Sequence, residues 1–134
     1  MIKSFDHTTI TVSKMKRSVE FYRDLLGFEV LGMLPQKKAN FVYLQLGDYK
    51  LELFEFEENG SSYEPEPDED VGLKHLAFRV EDVDAVTEKL KAEGVNFTLE
   101  PLETDGVKLA FFQDPDGISI EIIEGEPDFV PYRE

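Results

Sequence analysis

Phe5-Asp6-His7-Thr8-Thr9-Ile10-Thr11-Val12 and Leu73-Lys74-His75-Leu76-Ala77-Phe78-Arg79-Val80 are the stretches that decide how this chain folds. Both read as strand-like segments. They carry the only two histidines of the 134-residue chain, 68 positions apart. Further along each half stands a glutamate wedged between aliphatics, Leu51-Glu52-Leu53 and Ile120-Glu121-Ile122, and these two are 69 positions apart. A period of about half the chain points to two copies of one supersecondary unit. Two His and two Glu at matching places in a repeat form a ligand set for a divalent metal.

The remaining elements fall into place around these anchors. In the first half a strand over 6–12 leads to Ser13 as helix N-cap, and Met15, Val19, Tyr22 and Leu26 then recur at helical spacing up to a stop at Gly27. Strands follow over 28–34, 40–46 and 49–56, the last two joined by a tight turn at Gly47-Asp48. The second half repeats the order. A strand over 73–80 is followed by a helix from about Asp82 with Val83, Val86 and Leu90 on one face and Gly94 as its stop; strands over 95–99, 107–113 and 118–123 complete it, the last pair joined by Asp114-Pro115-Asp116-Gly117. The expected fold is therefore α+β: a single domain of two βαβββ modules, 1–57 and 73–124, joined by an acidic linker over 58–72. The run from Glu57 to Asp70 is too charged and too rich in Pro and Gly to pack as an element.

Composition narrows the function. With no cysteine there is no disulfide, no thiolate ligand and no Cys nucleophile. A formal net charge of -15 disfavours nucleic acid and anionic lipid as partners, although much of it lies in the Glu57–Asp70 run and reflects solubility. The first residues lack the apolar core of a signal peptide and no apolar run reaches membrane-spanning length, so a cytoplasmic protein is expected.

Alternation along the strands puts His7 on one face with Phe5, Thr9 and Thr11, and His75 with Ala77 and Arg79. Glu52 shares its face with Lys50, Phe54 and Phe56, and Glu121 with Ser119 and Ile123. The opposite, more apolar faces are those that should receive the helices. A curled sheet would then make the His/Glu face a cavity in which four ligands converge. Any one of these residues taken alone reads as an ordinary strand histidine or surface acid; the joint repeat favours a metal site.

The chain resembles the vicinal oxygen chelate superfamily, which groups glyoxalase I with bleomycin-resistance proteins, extradiol dioxygenases, methylmalonyl-CoA epimerase and fosfomycin-resistance enzymes. The resemblance is carried by Asp6-His7-Thr8-Thr9-Ile10-Thr11-Val12, by Ser18-Val19-Glu20-Phe21-Tyr22-Arg23-Asp24-Leu25-Leu26-Gly27-Phe28, by His75-Leu76-Ala77-Phe78-Arg79-Val80, and by Phe112-Gln113-Asp114-Pro115-Asp116-Gly117-Ile118-Ser119-Ile120-Glu121. It implies paired βαβββ modules, each curling into half of a cup with its helix outside. It also implies a divalent ion, Ni²⁺, Co²⁺ or Zn²⁺ with Mn²⁺ or Fe²⁺ as further candidates, held by His7, Glu52, His75 and Glu121. The implied partner is a second copy of the chain, in a homodimer in which the modules facing one ion come from different subunits.

The activity implied is that of a glyoxalase I-like lyase or isomerase. A proton moves between adjacent carbons of a small oxygenated substrate, such as the hemithioacetal of methylglyoxal and a thiol, with Glu121 as base and Glu52 as ligand and second candidate base. Lys50, Phe54, Phe56, Thr11 and Arg79 are the candidate substrate-binding residues. Thr11 and Phe56 stand where glutathione-using members typically place Arg and Asn, and Glu103-Thr104-Asp105-Gly106 replaces a basic segment, so the thiol is left open. Competing readings are an Fe(II) ring-cleaving dioxygenase using His7, His75 and Glu121, a metal-free drug-binding protein, and fosfomycin thiol transfer, for which the candidate face offers only Lys50 and Arg79 as cations.

Overall fold

The computed structural model describes residues 1–134 and divides into two compact units, 1–63 and 64–134, the division falling inside the acidic segment. In the first unit, β1 (His7–Thr11), α1 (Met15–Glu20), a π-helical turn (Phe21–Leu25), β2 (Glu29–Gln36), β3 (Ala39–Leu46) and β4 (Tyr49–Phe56) follow in order. The second contains β5 (Leu76–Arg79), α2 (Val83–Ala92), β6 (Phe97–Thr104), β7 (Val107–Gln113) and β8 (Ser119–Gly125). Each unit is one four-stranded mixed sheet, ordered β1-β4-β3-β2 or β5-β8-β7-β6, with the first strand parallel to the last and the other pairs antiparallel. No helix is long and apolar enough to cross a membrane.

The core of each unit lies between sheet and helix. Val12, Tyr22, Phe28, Leu44, Leu51 and Leu53 are buried in the first unit, and Val83, Leu90, Ala110, Phe112, Ile120 and Ile122 in the second. Enclosing each large side chain contributes about 1.5–3 kcal/mol. In both sheets these residues alternate with the His/Glu set along the strands, so the helix covers the opposite face.

Several boundaries differ from the sequence expectation, for physical reasons. Ser13 is not the N-cap of α1; Lys14 occupies that position without a side-chain cap, and the Ser13 hydroxyl instead accepts from the Arg17 guanidinium at 2.8 Å. The cap is supplied from the sheet: Glu55 Oε2 accepts from the Met15 N–H at 2.6 Å. Its counterpart Glu124 Oε1 accepts from the Val83 N–H at 2.9 Å, where Asp82 also caps α2 through Ala85 N–H at 3.0 Å. The first helix also widens, with Leu26 N–H donating to Phe21 C=O at 3.2 Å, five residues back. That wider turn lets the adjacent Phe21 and Tyr22 both reach the core, their rings edge to face at 5.1 Å.

Gly27 and Gly94 end the helices as expected, at φ +86° and +83°, where a Cβ would be strained. The strands after them are displaced from the expected ranges: β2 runs on through Pro35 and β6 through Pro101. Both are edge strands broken by bulges, so the missing proline N–H breaks no central ladder. In the other direction, the strand expected from residue 73 begins only at Leu76, leaving Leu73 exposed and His75 just ahead of the strand.

Candidate functional site

The parallel pairing of β1 with β4 sets Thr9 beside Glu52, and the antiparallel pairing of β3 with β4 sets Tyr43 opposite it. On that face His7 Nε2 lies 3.3 Å from Glu52 Oε1, and the Thr9 hydroxyl donates to the same oxygen at 2.8 Å. Glu52 is only 6% exposed. A carboxylate so enclosed needs polar partners, and here it has them. The Tyr43 ring meets the His7 ring edge-on at 5.3 Å. Burial pushes the Tyr43 hydroxyl above its ordinary pKa, and the negative charge of Glu52, its hydrogen bond and the charge of Asp6 add to this. On the far side of the imidazole, His7 Nδ1 lies 2.7 Å from Asp6 Oδ2. That contact, with the Lys50 ammonium 3.5 Å from the other Asp6 oxygen, holds the Asp6 carboxyl below the usual range.

The second unit repeats the pair with less support. His75 Nε2 lies 3.1 Å from Glu121 Oε1, and Phe111, opposite Glu121 across β7 and β8, meets the His75 ring edge-on at 5.0 Å. Where the first unit has Asp6, Thr9 and Tyr43, the second has Lys74, Ala77 and Phe111 at the 68-residue offset. Lys74 points to the Pro67 carbonyl at 3.0 Å, and the single polar contact of Glu121 is His75.

Donors about 2.1 Å from one ion stand about 3.0 Å apart at right angles and about 3.4 Å apart at tetrahedral angles. The two N···O spacings, 3.3 and 3.1 Å, fall in that interval. Neutral imidazole and carboxylate suit Ni²⁺, Co²⁺ and Zn²⁺, and also Mn²⁺ and Fe²⁺. Within either unit no third His, Asp or Glu joins the pair closely enough to complete a metal site.

The remaining expected residues are placed as follows. Thr11 pairs with Phe54 between β1 and β4, and Phe54 stacks on Phe41 at 3.9 Å with Phe56 edge-on at 5.9 Å, an aromatic run beside Glu52. Lys50 sits next to His7 in register and is engaged by Asp6. Arg79 lies at the far end of β5 from His75; it donates to the Gly125 carbonyl at 2.5 Å and pairs with Glu126 at 3.2 Å. Sequence reading missed Asp6, Tyr43 and Phe111. The 68-residue offset alone pairs Tyr43 with Phe111, a signal that alternation within a single strand does not contain.

Comparison with known proteins agrees with this architecture. The chain is 34% identical over 136 residues to the uncharacterised protein YwkD of Bacillus subtilis, covering 92% of this chain and 98% of that one. It is 32% identical over 131 residues to a lactoylglutathione lyase of Haemophilus influenzae, covering 90% and 91%. The crystal structure of a glyoxalase family protein from Enterococcus faecalis superposes with a TM-score of 0.76 at 34% identity, over 91% of this chain and 98% of the other. With the superfamily profile matching residues 4–122, nearly the whole of both βαβββ units, the chain belongs to the Glyoxalase/Bleomycin resistance protein/Dioxygenase superfamily.

Proposed function

We propose that this protein is a metal-dependent, glyoxalase I-like lyase or isomerase, cytoplasmic and homodimeric, acting on a small substrate with oxygens on neighbouring carbons. The observation that carries the reading is the duplicated His–Glu pair, with donor spacings of 3.3 and 3.1 Å in the two units. His7, Glu52, His75 and Glu121 would hold the ion. A bound divalent ion supplies electrophilic stabilisation for negative charge building on two adjacent substrate oxygens.

The chain's own residues do the rest. Glu121, which would hold the ion in the resting site, acts as base when displaced from it, taking the proton from one carbon and returning it to the next, a role that suits a carboxylate whose single polar contact is His75. Glu52, held by Thr9, stays in place as a ligand. Thr11, Phe54 and Phe56 line an uncharged side of the face, while Lys50 and Arg79 are occupied by Asp6 and Glu126. That supports a cosubstrate with fewer negative charges than glutathione carries. The test is turnover of methylglyoxal with several thiols, comparing wild type with Glu121→Gln. Loss of activity by about 100-fold or more with the metal retained supports the reading; full activity in Glu121→Gln sinks it.

A further inference from the structure

Asp6, Thr9 and Tyr43 surround the His7–Glu52 pair, and Lys74, Ala77 and Phe111 stand at the corresponding places around His75–Glu121. Each polar group of the first half is replaced in the second by one that cannot do the same work. A lysine cannot accept the imidazole proton, an alanine cannot donate to the glutamate, and a phenylalanine lacks the hydroxyl.

We infer that Asp6 and Thr9 are positioning residues that fix His7 and Glu52 as the rigid half of the site, leaving His75 and Glu121 as the half free to adjust. The inference rests on the metal reading above. Its geometry is local to one sheet face. Asp6 Oδ2, 2.7 Å from His7 Nδ1, accepts the ring proton there and so leaves the Nε2 lone pair directed to the Glu52 side. Lys50, 3.5 Å from Asp6 Oδ1, holds that carboxylate in place from its other oxygen. Thr9 donates to Glu52 Oε1 at 2.8 Å and sits directly beside it in the β1–β4 register, so the carboxylate is fixed by a neighbouring strand and not only by its own rotamer. Glu121 has Ala77 at that register position and therefore no such anchor.

The test uses the full chain and two readouts. Long-range ¹H–¹⁵N correlation spectra of the metal-free protein at about pH 9, where an ordinary imidazole is neutral, report which nitrogen carries the proton. Titration with Zn²⁺ and Co²⁺ alone reports affinity. The expected results are an Nδ1–H tautomer at His7, lost in Asp6→Ala, and affinity lower by about 10–100-fold in Asp6→Ala and in Thr9→Val. Thr9→Ser, which restores the hydroxyl, should recover the affinity. An Nε2–H tautomer of His7 in wild type, or unchanged affinity in both Asp6→Ala and Thr9→Val, overturns the inference. If wild type binds neither metal, the metal reading fails, and the tautomer spectra still decide for or against Asp6.

Discussion

At the scale of single residues, burial decides behaviour more than chemical type does. Tyr49 shows this in a group away from the candidate site. Its ring stands edge to face with Phe28 at 6.1 Å, and burial raises its hydroxyl pKa above the ordinary 10.0, with the nearby Thr8 side chain pulling more weakly the other way. The sign of the consequence follows from linkage. A group whose folded pKa is raised contributes stability that is present in full below the unfolded value and is lost as pH rises through the folded one. Urea midpoints measured from pH 9 upward should therefore fall, and fall less steeply in Tyr49→Phe. In the core, Leu53→Ala at a fully buried position should destabilise by about 2–5 kcal/mol in the same assay. The side-by-side pairing of His7 with Glu52 and of His75 with Glu121 was legible in the sequence because a repeat marks each residue type twice. Tyr43 and Asp6 could not, because their roles depend on cross-strand register and on a side-chain contact between chain neighbours.

At the scale of elements, the two halves share a device that links helix to sheet. Glu55 and Glu124 each sit three residues past a proposed ligand glutamate and each take the first N–H of the unit's helix. A carboxylate at a helix N-terminus is favoured by both the open N–H groups and the helix dipole. Because α2 has Asp82 as a second cap while Lys14 gives α1 none, Glu55→Ala should cost more stability than Glu124→Ala. The expected loss is about 1–2 kcal/mol for Glu55→Ala and less for Glu124→Ala, read from urea unfolding. Helix periodicity and the glycine stops were legible in the sequence. The true cap of α1 was not, since it comes from a strand 40 residues away, which local capping rules cannot see. The strand ends past Pro35 and Pro101 were hidden for a related reason: proline reads as a breaker until the strand is known to be an edge.

At the scale of the whole molecule, a twofold internal repeat, a net charge of -15 and an exposed acidic segment dominate. Residues 57–70 are exposed throughout and lie outside helix and strand, so a glutamate-specific protease should cut there first, leaving fragments that begin and end between Glu57 and Glu69. Early cleavage at Glu52 or Glu121 instead would contradict the burial described here. The fold class was readable because the same pattern of strand, helix and three strands occurs twice. Substrate and cosubstrate were not legible in that pattern, because superfamily members share the scaffold and differ in the few side chains around it.

The central claim is that His7, Glu52, His75 and Glu121 hold a divalent ion. Elemental analysis of wild type beside His7→Ala, with native mass to count subunits, tests it most directly. One ion per chain in a wild-type dimer, lost in His7→Ala, is the expected result; no metal in either protein after reconstitution with Ni²⁺, Co²⁺, Zn²⁺ and Fe²⁺ would contradict it.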